Sequence, residues 1–292
     1  MLAIVLSLGA ALAFSLAAML INTLAGRVTV FQLARWQMSM AFVLTALASL
    51  ALGGWATVAP WQFWFLAASS VIGIMLASTT YFAAIYAAGP RLTALLFSLA
   101  APFAVIEGWL FLDEALSLGQ LSGIGLILGG IVLAIVAAGD THPDDAPRRP
   151  LWQGVMLGVI TALGQATGSL LARPAMEAGV EPLTAMAIRS GLGAAFFIAL
   201  MVFPFARAAR LPTGSELRTV GWSAFFGMFL GMSLMMAALS SGDVGIVSTL
   251  TSTTPILILP MLWFTTRRAP TPGAWAGAVL AVAGTALISM AA

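Results

Sequence analysis

Three ionised side chains, Arg35, Glu107 and Arg189, interrupt long apolar stretches of this sequence, and clusters of hydroxyl and amide residues fall in the middle of others. Within a bilayer each such charge costs a few kcal/mol unless it is paired or wetted, so these residues are the first candidates for work. Arg35 and Arg189 each stand about two turns from a helix start, where a long side chain snorkels to the interface or bonds to neighbouring carbonyls. Glu107 lies shortly before Asp113 and has three open roles: a proton-coupling carboxylate, a partner for an arginine, or a group facing lipid headgroups.

The uncharged polar clusters are Ser78, Thr79, Thr80 and Tyr81; Gln165, Thr167 and Ser169; and the run STLTSTT from Ser248 through Thr254. Serine and threonine can satisfy their own helix carbonyls, but a continuous run puts hydroxyls on every face, so some must meet a polar cavity. Pro255 follows that run as Pro102 follows Ser98, and each removes an intrahelical hydrogen bond. The freed carbonyls would serve a solute or a hinge; the plainer alternative is a kink that assists packing. Phe14, Tyr81, Phe82, Trp109, Met228, Met232 and Met235 would line an amphiphilic pocket or, as such side chains more often do, face lipid or core. Candidate solute-binding residues are therefore Phe14, Ser15, Ser78, Thr79, Tyr81, Phe82, Ser98, Gln165, Ser169, Met232, Ser248, Thr251 and Ser252, with Pro102 and Pro255 as hinges and Glu107 as the coupling candidate.

Other chemistries lack their residues. The single histidine, His142, lies in a polar linker, no span interior holds an aspartate, and cysteine is absent, so a serine, aspartyl or thiol enzyme within the membrane is disfavoured. Asp140, Asp144 and Asp145 share one Pro-containing segment with Arg148 and Arg149 and have no second acidic cluster opposite, so no metal site and no cofactor are expected. No GxxxxGK[ST] loop exists, so pumping would draw on an ion or solute gradient.

These residues must be positioned by lipid-embedded helices. The chain is 61% hydrophobic and 8% charged with mean hydropathy +1.05, and a span needs roughly 20 apolar residues. All twelve basic residues are arginine and do not cluster as a nucleic-acid partner would require. Met1 to Leu24 lacks a basic n-region and reads as a retained first span. Cutting at Gly, Pro and charges predicts ten spans: 2–24, 29–52, 60–87, 91–112, 118–138, 151–172, 181–206, 215–239, 244–266 and 272–291. Trp55, Trp61, Trp64 and Trp152 fall near span ends as interfacial anchors.

The chain reads as duplicated about the polar linker 139–150. Arg35 falls over Arg189 and Gly123 over Gly277 at an offset of 154, and Gly89 over Gly242 and Pro102 over Pro255 at 153. Five spans per half, 1–138 and 151–292, make the repeats inverted, the plan of many secondary transporters. Loops after odd-numbered spans hold nine arginines (Arg27, Arg91, Arg148, Arg149, Arg207, Arg210, Arg218, Arg267, Arg268) against Arg173 on the other side, which places the linker in the cytoplasm and both termini outside. Gly119, Gly123, Gly125 and Gly129 in the fifth span, with Gly273 and Gly277 in the tenth, predict close packing of those two spans. A dimer through these faces is the lesser alternative to a monomer.

The segment AAGPRLTALLFSLAAPFAVIEGWLFLDEALSLGQLSGIGLILGGIVLAIV, residues 87 to 136, has a Gly-Pro opening, a proline within the fourth span, an acidic end and a glycine-studded fifth span. It resembles the EamA branch of the drug/metabolite transporter superfamily, and the resemblance extends over nearly the whole chain. The second half departs from it, with Arg267 and Arg268 where the first has Asp113 and Glu114. The resemblance implies an all-α protein of the bacterial inner membrane with a central cavity between spans 1, 3, 4, 6, 8 and 9. It also implies export of small solutes, amino acids foremost and aromatic ones among them, with drug-like cations as the alternative. Membrane lipid is then the expected surrounding.

Overall fold

The computed structural model describes residues 2–112, 117–136, 150–207, 210–239, 247, 250–251, 253–267 and 269–291, and among them it contains helices and turns but no strand. The helices are α1 (Leu2–Thr23), α2 (Val30–Leu52), α3 (Pro60–Ser70), α4 (Ala77–Phe97), α5 (Ala100–Leu112), α6 (Leu118–Val136), α7 (Leu151–Glu177), α8 (Pro182–Ala199), α9 (Gly214–Ser223), α10 (Met232–Leu239), α11 (Thr254–Thr266) and α12 (Pro272–Met290). Among the described residues, six continuous helical stretches are long and apolar enough to cross a membrane, and four apolar helices are shorter.

Local chemistry sets the ends. Thr29 accepts from the Gln32 amide at the start of α2, and Gly53 closes that helix in the left-handed region at φ 69°. Glu181 caps α8 by accepting from Leu183 and Thr184, and Thr213 with Glu216 forms a capping box on α9. Gly89, at φ 80° and ψ 168°, breaks α4 just before Pro90, which is where the boundary between the third and fourth spans was expected. The helix stops again at Ser98 and Leu99 because the ring of Pro102 displaces the carbonyl four residues earlier, that of Ser98. In the second half α11 likewise begins immediately before Pro255.

Two boundaries differ from expectation. The sixth span extends to Glu177, and an exposed Arg173–Glu177 pair at 2.7 Å bridges its added turn. The seventh ends at Ala199 and continues as short 3₁₀ turns, Leu200–Val202 and Pro204–Ala206.

α3 passes into α4, and α9 into α10, through π-helical stretches, Val71–Leu76 and Ala224–Gly231. Their first residues are 153 positions apart, the register already seen in the sequence. Contacts between the halves are reciprocal: α3, the first π stretch and α4 lie on α7, while α9, the second π stretch and α10 lie on α1. α5 packs on α7 as α11 packs on α1, and α2 meets α8 as α6 meets α12. Arg210 donates to the Arg27 carbonyl at 3.0 Å and forks onto Glu216 at 2.7 and 2.8 Å, which puts the loops after α1 and α8 at one end of the bundle.

α6 and α12 pack closely, with a change in which glycines matter. A β-carbon on Gly123 would stand 2.5 Å from the Gly284 carbonyl and one on Gly130 would stand 2.6 Å from the Gly277 carbonyl, whereas Gly125 and Gly129 face open space. At 3.6 residues per turn the fifth span cannot turn both glycine pairs toward one partner. Gly123→Ala is accordingly expected to lower the unfolding free energy by about 1–3 kcal/mol, against no more than about 0.5 kcal/mol for Gly125→Ala, read as thermal unfolding in detergent. Trp55, Trp61, Trp64 and Trp152 all lie on the outer surface.

Candidate functional site

Where the two halves meet lies a cavity with about 670 Å³ of empty space, counting the open solvent at its mouth. α1 supplies Phe14, Ala17 and Ile21, and α2 supplies Gln37. The first π stretch gives Gly73 and Ile74, and α4 gives Ala77, Ser78, Tyr81, Phe82, Ala94 and Phe97. From the second half come Thr161 and Gln165 of α7, Gly227 and Met228 of the second π stretch, Met232 of α10 and Thr254 of α11. The π stretches open the wall by winding wider than an α-helix, and each brings a glycine to the lining.

The lining is apolar with a few polar groups. Tyr81 packs edge-on against Phe82 and Phe97, with ring centroids 6.0 and 6.1 Å apart. The Gln165 amide nitrogen is 3.4 Å from Ser169 Oγ and 3.8 Å from Met235 Sδ, contacts too long to use its donors well. Gln37 donates to Ser223 at 2.9 Å, while its carbonyl oxygen is buried without a partner. Thr161 Oγ1 lies 2.7 Å from the Leu157 carbonyl and 2.8 Å from Thr80 Oγ1, and Thr254 donates to the Thr251 carbonyl at 2.7 Å.

Of the residues expected from the sequence, Phe14, Ser78, Tyr81, Phe82, Gln165 and Met232 come together on this cavity. Others do not line it. Ser15, Thr79 and Thr251 donate to the carbonyls of Ala11, Met75 and Val247, each four residues earlier, so the helix consumes their hydroxyls. Ser98 is buried beside the Pro102 break with its hydroxyl unpartnered, and Ser169 stands behind Gln165. Trp109 faces outward. Ser248 and Ser252 lie outside the described residues, as do Asp113, Glu114, His142 and the aspartates of the linker.

Gln37, Phe97 and Thr161 were missed. Gln37 carried a signal, being a carboxamide in an apolar span, and Thr161 precedes Gln165 by four residues and so shares its face. Nothing in the pattern marked Phe97.

The charged residues depart furthest from expectation. Arg189 is 0% exposed and reaches neither the interface nor a carbonyl: Nη1 lies 3.7 Å from the sulfurs of Met186 and Met236, while Nε and Nη2 have no partner. Arg35 is also buried, with Nη1 unpartnered. α2 and α8 pack against each other, and both arginines lie on their covered faces. Glu107 is buried between α5 and α7, accepts from Thr167, and leaves Oε2 unpartnered. Among the described residues it pairs with no arginine, and it is not part of the cavity lining.

Comparison with known proteins agrees with this architecture. The EamA-like transporter family matches at residues 1–136 and again at 152–290. A solved crystal structure, 21% identical, superposes with a TM-score of 0.74 over 98% of this chain and 95% of its own. No curated protein matches the sequence.

Proposed function

Because the chain belongs to the EamA-like transporter family, we propose that it exports small organic solutes, amino acids with aromatic or hydrophobic side chains foremost, across a bacterial inner membrane by alternating access. The observation that carries this reading is the cavity shared by both halves, where Phe14, Tyr81, Phe82 and Met232 offer an apolar bed and Gln37, Thr161 and Gln165 offer hydrogen bonds. The protein spans the bilayer ten times as two inverted five-helix repeats, 1–138 and 151–292, and functions as a monomer. The reciprocal contacts of α7 and α1 support the inverted relation, and the shared end of the Arg27 and Arg210 loops supports the topology, with those loops cytoplasmic and both termini periplasmic. The breaks at Pro102 and Pro255 supply the hinges about which the halves rock.

The test is counterflow by purified protein in liposomes preloaded with unlabelled amino acids, offering labelled Phe, Trp, Met and Thr beside a lipophilic cation and a sugar. Saturable exchange of the amino acids supports the reading. Exchange of the cation alone would move the substrate class to drug-like cations, and exchange of nothing would remove the carrier assignment. Glu107, buried outside the cavity with one carboxylate oxygen free of protein partners, is the candidate proton carrier. Glu107→Gln is expected to abolish stimulation by a pH gradient while leaving counterflow within about twofold of wild type, since exchange at equal pH needs no net proton movement.

A further inference from the structure

Arg189 sits one residue's thickness behind the cavity wall. Gly73 lines the cavity, and its missing side chain leaves the space that the guanidinium takes: Nη2 is 2.9 Å from where a β-carbon would stand. On the other side Nη1 lies against Met236, one turn along α10 from the cavity residue Met232. The wall between is the π stretch Val71–Leu76, where the hydrogen-bond ladder is already irregular.

A guanidinium wholly removed from water without a counter-charge is expensive, and a methionine would fill the same volume at no such cost, so packing does not account for it. The described ion pairs, Arg173–Glu177 and Arg210–Glu216, leave it out. Which nitrogens stand unused is informative. Nε and Nη2 form one edge of the fork, the edge that grips a carboxylate through two parallel hydrogen bonds. The register partner Arg35 adds a second buried positive charge, and no described acid pairs with either.

Resting on the transporter reading above, we propose that Arg189 is the anion receptor of this site: its unused edge draws the carboxylate of the solute to the glycine wall at Gly73 while the aromatic and methionine side chains hold the apolar body. The carried class is then organic carboxylates and zwitterions with apolar bodies, not organic cations.

The test is ligand-induced thermal stabilisation of the full-length protein in detergent with three probes that share a phenyl body: phenylalanine, 3-phenylpropionate and phenethylamine. Wild type should be stabilised by the first two and not by the amine. Arg189→Gln, eluting as wild type on gel filtration, should lose about tenfold or more in apparent affinity for 3-phenylpropionate, and Arg189→Lys should lose less because it keeps the charge. Should Arg189→Gln not fold, the wild-type probe series decides: stabilisation by phenethylamine as strong as by 3-phenylpropionate, or by none of the three, overturns the proposal. Unchanged carboxylate affinity in folded Arg189→Gln also overturns it. Carboxylate binding lost in that variant, with no counterflow by wild type, would uphold the receptor and remove the transport reading. Counterflow of a lipophilic cation untouched by Arg189→Gln would do the reverse.

Discussion

Gly168→Val should lower the yield of folded protein several-fold. A β-carbon at Gly168 would stand 2.5 Å from the Gly73 α-carbon and 3.0 Å from its nitrogen, so the obstacle is backbone and not a side chain that can swing away. The reciprocal position is tight but less so, with a β-carbon on Gly73 3.0 Å from the Gly168 α-carbon. Ser69 donates to the Gly168 carbonyl at 2.6 Å, pinning the same crossing, and beside it Ser70 donates to the Arg189 carbonyl of α8 at 2.7 Å. Separating the two backbones would break the Ser69 bond and open the core, a loss of about 3 kcal/mol or more, a substantial share of the 5–15 kcal/mol by which folded proteins are typically held. Yield on gel filtration checks it, and Gly125→Val is the control, since no atom within 4 Å meets a β-carbon there. Control and variant reaching equal yield would show that the crossing of the first π stretch and α7 is wrongly placed.

Gln165→Leu should fold normally and lose roughly 10- to 100-fold in counterflow efficiency for amino acids, the range expected when a hydrogen bond to a charged group is deleted. The protein itself gives the amide nitrogen only the long contacts to Ser169 and Met235, so its donors are spare and the fold loses little without them. Leucine has nearly the same volume, which keeps the wall intact. Thr79→Ala is the matched control, expected within about twofold of wild type because that hydroxyl is spent on the Met75 carbonyl. Equal loss in both variants would mean that the cavity between the halves is not the solute site.

Much of this protein was legible along the chain. Membrane residence followed from continuous apolar stretches, and the duplication from Arg35 and Arg189, Pro102 and Pro255 falling in one register, which the two family matches then met. The breaks at Gly89 and Pro102 were legible because they are covalent: a proline lacks its N–H wherever it sits, and a left-handed residue at φ 80° asks for glycine. Rotation of each helix about its own axis was not legible. In a soluble helix the apolar stripe marks the inner face, but these helices are apolar all round, so periodicity does not say which way Ser78 and Thr79 point. Tertiary packing alone put Ser78 on the cavity and turned Thr79 to its own backbone, chose Gly123 and Gly130 over Gly125 and Gly129 for the crossing with α12, and enclosed Arg189 where its position near a helix end had promised it the surface. Composition and spacing thus determined the solvent, the repeat and the breaks, because those are properties of one strand of residues; the contacts between helices decided the site, because a site exists only where separate segments meet.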